Sequence, residues 1–287
     1  MIGRKMKNYK QIGKDLVFTT CIFCVFLIGV AFLFSPWLKD EVMKKRGSQL
    51  NIEHFSVQEV QSHVSNGNFT NDISNIETPS ITSVLTHINK VNETNVIGEI
   101  AIADVHLRLP ILKGTNTQNL LVGTTTFTST QIMGQKNYVL AGHHMRDEEM
   151  LFGPLLHVQK GTLIQLTDKQ NLYTYQIVEK KTIHESETDI LQDSHSPILT
   201  LFTCDVAGAT DKRFVVQAAL LRTESLKDES KYVKHYKQQI RTETSKDEKY
   251  VTFLTASAGL CGLVLLFVRF LSHERRKSKS PVGGKPN

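Results

Sequence analysis

The pattern of apolar and polar positions divides the chain into segments of different texture. Residues 16–38 carry no charge and are rich in Phe, Leu, Ile and Val, and residues 250–268 form a second uncharged stretch that ends at Arg269. Either is long enough to cross a hydrocarbon core, which takes about 20 apolar residues in a helix. From Ile97 the texture changes to short apolar runs separated by turn residues. Strands are predicted over 99–103, 107–112, 120–122, 138–141, 162–166, 172–183, 198–204 and 214–221. In the sixth, Tyr173, Tyr175 and Ile177 alternate with Thr174, Gln176 and Val178, the period of a half-buried strand. Many short strands at this spacing predict an all-β barrel or sandwich, with a helical turn over 148–158. About 125 residues suffice for a core of their own.

The flanking segments read differently. Residues 39–95 are polar with few aromatics, a stalk or short helical lead-in in which nothing demands a core. Residues 223–249 are dense in charge and read as a solvated linker or helix. The expected order is a tail (1–15), a transmembrane helix (16–38), a lead-in (39–95), a β domain (96–222), a linker (223–249), a second transmembrane helix (250–271) and a basic tail (272–287). The first apolar run is long for a cleaved signal peptide, and Phe34-Ser35-Pro36-Trp37 offers no small-x-small cleavage site, so it reads as an uncleaved anchor.

Charge then sets orientation. Arg4, Lys5, Lys7, Lys10 and Lys14 precede the first span, and Arg275, Arg276, Lys277 and Lys279 follow the second. Lys39, Lys44, Lys45 and Arg46 soften the bias, but both termini read as cytoplasmic and the β domain as outside. These flanks account for part of the net charge of +6. No basic face with interleaved aromatics is present, which argues against nucleic acid as a partner. Asn68-Phe69-Thr70 and Asn92-Glu93-Thr94 match the glycosylation pattern, a short motif that recurs by chance.

Three of the four cysteines, Cys21, Cys24 and Cys261, fall within the apolar spans, where small buried hydrophobes are the plain reading even of the C-x-x-C pair. Cys204 stands alone outside them. An exported cysteine is usually paired, so an unpaired one is either an idle thiol or a nucleophile. A thiol attacks as the thiolate and needs a nearby base or cation, and the oxyanion it creates needs donors or positive charge. His143 in Ala141-Gly142-His143-His144 and Arg213 in Asp211-Lys212-Arg213-Phe214 supply those roles at predicted strand ends. Spacing alone leaves both readings of Cys204 open, because His157, His184 and His195 share the domain.

The local sequences decide further. Thr200-Leu201-Phe202-Thr203-Cys204 resembles the T-L-x-T-C pentapeptide of sortases, with Arg213 nine residues later opening a Phe-Val-Val strand. Ala141-Gly142-His143 resembles the family's histidine segment, and 109–114 and 151–155 resemble other sortase segments, especially those of streptococcal class A enzymes. The resemblance spans residues 96–222. It implies an eight-stranded β-barrel and a cysteine transpeptidase that cuts a Leu-Pro-x-Thr-Gly (LPXTG) sorting signal between Thr and Gly. By the same resemblance Cys204 is the nucleophile, His143 the acid and base, and Arg213 the oxyanion partner. Ala141, Thr203, Ile190 and Leu191 are implied as substrate contacts; beside the pair, His144 is a candidate orienting residue and Asp205 a local hydrogen-bond or turn residue. Implied partners are surface proteins, the membrane, and an acceptor amine from the cell-wall precursor lipid II.

Some features depart from the class A pattern. A second span after the domain is more typical of class C enzymes, whose acceptor is a pilin lysine, yet the chain has no Asp-Pro pair of the kind their lid carries. The segment 204–210 resembles class A, which is the favoured reading. A non-catalytic surface module with an inert Cys204 is the alternative of a different kind. Residues 124–139 contain no Asp or Glu, so calcium, which needs carboxylate oxygens, is not expected, nor is any cofactor.

Overall fold

The structure, a computed structural model, describes residues 2–67 and 69–226, with only the helical backbone for 2–16. The linker beyond 226, the second apolar stretch with Cys261, the basic tail and Asn68 lie outside the described residues.

Eight strands close into a barrel: β1 (Val96–Ile102), β2 (Leu107–Leu112), β3 (Thr124–Thr126), β4 (Asn137–Ala141), β5 (Leu163–Thr167), β6 (Asn171–His184), β7 (Ile198–Cys204) and β8 (Lys212–Ser225). Their order around the barrel is β1-β2-β3-β4-β7-β8-β6-β5, with β5 returning to β1. Pairing is antiparallel except between β2 and β3 and between β4 and β7. Closure leaves no unpaired edge. The interior is filled from every side, by Ile100, Leu140, Ile164, Tyr175, Leu201 and Val216 among others. Burying each such side chain contributes roughly 1.5–3 kcal/mol.

Seven strands lie where the short apolar runs predict them. The exception is the apolar run at 120–122. Asn116 caps a single helical turn, α4 (Thr117–Leu120), its side chain accepting from Asn119 N at 2.9 Å. The Asn119 amide in turn donates to the carbonyls of Lys113 and Gly114. Leu121 and Val122 pack into a second core, and the third strand is the all-threonine run that follows. A short apolar run cannot be assigned to helix or strand by period alone, and β-branched threonine favours the strand.

The lead-in departs further from its sequence reading, because it folds onto the barrel. Helix α1 (Ile2–Gln49) runs unbroken from the apolar span, through Pro36, into the polar segment. It is followed by α2 (Val57–Asn66) and α3 (Ile81–His87). Ser56 and Glu59 form a capping box at the start of α2. His63 in α2 binds the Val96 carbonyl at 2.8 Å. The second core joins Met43 and Leu50 to Val84 and Ile88 of α3 and to Leu121, Met145 and Leu151. Its apolar residues are sparse and helix-spaced, so low mean hydropathy concealed them.

A buried ion pair fixes this packing to the sheet. Arg108 on β2 binds Glu99 on β1 at 3.0 Å, with side chains only 7% and 2% exposed, and also reaches Glu53 of the lead-in at 3.4 Å. Removing one partner strands a buried charge. Arg108→Ala is therefore expected to cost roughly 3–5 kcal/mol in denaturant unfolding of the full chain in detergent. Lys136→Ala, which breaks the exposed pair with Asp193, is expected to cost about 0–1 kcal/mol. Equal effects would contradict the packing described.

Candidate active site

Three adjacent strands bring the candidate residues to one rim. β7 lies between β4, its parallel neighbour, and β8, its antiparallel one. Ala141 is level with Phe202 in the β4/β7 register. The chain keeps following β7 beyond that pair, since Gly142 N donates to Phe202 O at 3.2 Å. Continued along both strands, the register sets His143 level with Cys204. On the other side Cys204 and Arg213 are direct partners across β7 and β8. Leu199 and Leu201 enter the barrel core, as do Val216 and Ala218. Period-two alternation then turns Cys204 and Arg213 to the same outer face.

The loop carrying His143 is held from both ends. A Cβ at Gly142 would lie 2.6 Å from the buried Phe152 ring, so only glycine allows this approach. Phe152 N donates to His143 O at 3.0 Å, and His144 bridges to Leu151. Leu151 adopts a φ of 48°, a left-handed conformation that costs a side chain energy and needs surrounding packing. That packing is the second core, where Leu151, Met145 and Met150 meet Met43 of α1. Lys44 of α1 also pairs with Asp147 of the loop at 3.1 Å. The apolar helix and the histidine loop are thus one packed unit.

Burial controls the ionisation of the pair. Desolvation first, and the Lys39 ammonium second, push His143 down to about 4, and its Nε2 is buried without a hydrogen-bond partner. Burial raises the Cys204 thiol above its ordinary value; Arg213 opposes this, while Asp205 and Glu185 add to it. Both groups are therefore uncharged at neutral pH. Arg213 donates from Nη1 to the carbonyls of Thr210 (2.7 Å) and Lys212 (2.9 Å) and from Nη2 to Glu185 at 2.6 Å.

The remaining predicted residues divide. Ala141 lies on the outer face of β4 beside Phe202. Ile190 and Leu191 lie on a short 3-10 helix, Thr188–Leu191. Asn137 of β4 holds that helix to the sheet by donating to the Ile190 and Gln192 carbonyls at 2.9 and 3.0 Å. Thr203 is different: its side chain alternates inward, away from Cys204, and its hydroxyl is buried without a partner. His144 Nδ1 lies 3.0 Å from the Cys204 carbonyl and must carry the proton there, since a carbonyl only accepts. Asp205 accepts from Thr210 within the β7–β8 loop. Sequence reasoning did not single out Asn137 or Glu185. The first was signalled only by a polar residue opening an apolar strand, the second by nothing local. Among the described residues no three His, Cys, Asp or Glu side chains gather as metal ligands.

Residues 100–221 match the Sortase domain family. Sortase A of Listeria monocytogenes is 41% identical over 210 residues, covering 73% of this chain and 94% of that protein. This chain belongs to the sortase family. It is a cysteine transpeptidase, and its sequence is of the class A kind. Sortase A of Streptococcus agalactiae is 33% identical over 226 residues, covering 76% of this chain and 91% of that sortase. The crystal structure of the Listeria monocytogenes enzyme shares 51% identity and covers 47% of this chain and 93% of that one, with a TM-score of 0.46.

In an NMR titration of the full-length sortase, His143 is expected to titrate near 4, below the ordinary histidine value of about 6.5. Lys39→Gln removes a repelling charge and is expected to raise that midpoint. A midpoint near the ordinary value, or one indifferent to Lys39, would contradict the described burial.

Proposed function

We propose that this sortase is a membrane-anchored enzyme that cleaves an LPXTG-type signal between Thr and Gly and passes the surface protein to an amine of lipid II. In this reading Cys204, His143 and Arg213 carry the reaction. The observation that supports it most is their shared rim: Cys204 and Arg213 are paired in register on one face, and His143 follows β4 along β7.

The chemistry follows from the ionisation of the site. Because the resting pair is uncharged, attack by Cys204 Sγ on the Thr carbonyl carbon passes the thiol proton to the His143 imidazole. Arg213 N–H groups stabilise the oxyanion that forms. As the tetrahedral intermediate collapses, the C–N bond to Gly breaks and the leaving amine takes the proton from His143. The product is a thioester on Cys204. An incoming amine then attacks that thioester while His143 takes its proton, and Cys204 leaves as the thiolate, to be reprotonated by His143. In this reading Ala141, Ile190 and Leu191 contact the Leu-Pro part of the signal. His144 fixes the backbone of the nucleophile.

The anchoring half of the proposal rests on α1. Within Val17–Gln49 the most apolar stretch has a mean hydropathy of 2.7 and is not covered by the rest of the described chain; Phe32 and Leu33 are 75% and 80% exposed. A helix of this kind satisfies its own backbone in hydrocarbon. Both termini would face the cytoplasm and the barrel the outside.

The full chain in detergent, given an LPXTG peptide and a small amine, should yield the peptide joined through Thr to the amine. Cys204→Ala is expected to abolish the product, and His143→Ala and Arg213→Ala to lower kcat at least about 100-fold. Turnover by Cys204→Ala equal to that of the parent would refute the assignment. A product formed only with a pilin lysine would move the enzyme to pilus assembly.

A further inference from the structure

Glu185 lies just past the end of β6, and the sheet itself carries it to Arg213. Across β6, β8 and β7, Ile183 pairs with Arg213, and Arg213 pairs with Cys204. Two residues beyond Ile183, Glu185 falls on the same face by period-two alternation. Its backbone extends the ladder, with Glu185 N donating to Asp211 O at 2.7 Å. The surrounding turn is tightly tied. His184 N donates to Glu187 at 2.8 Å, His184 Nδ1 meets Ser186 Oγ at 2.7 Å, and His184 Nε2 lies 3.5 Å from Asp211.

Counting donors shows what this does to the guanidinium. Arginine offers five N–H groups in a rigid fork. Both on Nη1 go to the carbonyls of Thr210 and Lys212, and one on Nη2 goes to Glu185 Oε2 at 2.6 Å. The Nε–H and one Nη2–H remain for a substrate oxygen. The backbone carbonyls engage one end of the fork. The carboxylate engages the other, so together they fix its plane.

We infer that Glu185 is a positioning residue: it holds the Arg213 guanidinium in the plane that turns its two free donors to the reacting carbonyl beside Cys204. This rests on the reading of Arg213 as oxyanion partner, but it adds a residue that neither the pentapeptide nor the histidine segment contains.

The charges around Cys204 allow a decisive test. Arg213 faces it from β8, Asp205 from the β7–β8 loop and Glu185 from the end of β6, with His143 level on the β4 side. Arg213 lowers the pKa of the Cys204 thiol, favouring the thiolate, more strongly than Glu185 raises it. If Glu185 holds Arg213 in place, Glu185→Gln loses the larger influence with the smaller. The midpoint for Cys204 alkylation by iodoacetamide should then move to higher pH, as it should in Arg213→Gln. If Arg213 stays without its tether, the midpoint moves to lower pH.

The full-length protein in detergent is the material for both readouts. With an LPXTG peptide and an amine, Glu185→Gln is expected to lower kcat/KM about tenfold, mainly in kcat. Glu185→Asp, which keeps the charge, should recover part of the loss. An alkylation midpoint that falls or stays, or a kcat/KM within about twofold of the parent, overturns the inference. If the parent itself does not turn over the peptide, the substrate reading has failed, and the alkylation midpoint still decides the role of Glu185.

Discussion

The position of β7 between a parallel and an antiparallel neighbour is the constraint on which the site depends. Parallel strands end at the same edge of a sheet, so His143 after β4 and Cys204 at the end of β7 arrive at one rim. An antiparallel strand begins where its neighbour ends, which brings Arg213 at the start of β8 to the same place. The parallel pair demands a long crossover, and β5, β6 and their loops provide it while completing the barrel. A slip of one residue in β7 would turn Cys204 into the core and Thr203 outward. The apolar side chains of Leu199 and Leu201 exclude that slip.

The histidine loop is covered by a second core. Met43, Met145, Met150 and Leu151 pack together, and Leu151 is kept there in a left-handed conformation. Burial moves His143 and Cys204 in opposite directions, the imidazole down and the thiol up, and each shift favours the uncharged form. In the proposed reaction the site therefore rests as a neutral pair, and charge develops only as the thiol attacks. Since α1 supplies part of the cover and the Lys39 charge, the protonation of His143 is tied to the helix proposed as the membrane anchor.

Much of this was legible in the sequence, for identifiable reasons. Seven of the strands are short apolar runs bounded by turn residues, and the Cys204, His143 and Arg213 segments are short, local motifs at strand ends. What escaped were features that depend on partners distant in sequence. The Thr124–Thr126 strand is polar and was overshadowed by the apolar run before it. The lead-in buries Met43, Val84 and Ile88, but these are too sparse to register against their polar neighbours. Asn137 and Glu185 act by reaching across strands, 53 and 28 residues along the chain from Ile190 and Arg213, so no local pattern marks them. Thr203 was the converse, a motif residue whose side chain strand alternation turns into the core.

The register of β7 makes one claim above the others, that Cys204 Sγ is the atom that carries the acyl group. Full-length protein incubated with an LPXTG peptide and no added amine, quenched in acid and mapped by peptide mass spectrometry, tests it directly. The acyl mass is expected on the peptide containing Cys204, and it is expected to disappear when an amine is added before the quench. An adduct on Cys21, Cys24 or Cys261, or none while the peptide is still cleaved, would contradict it.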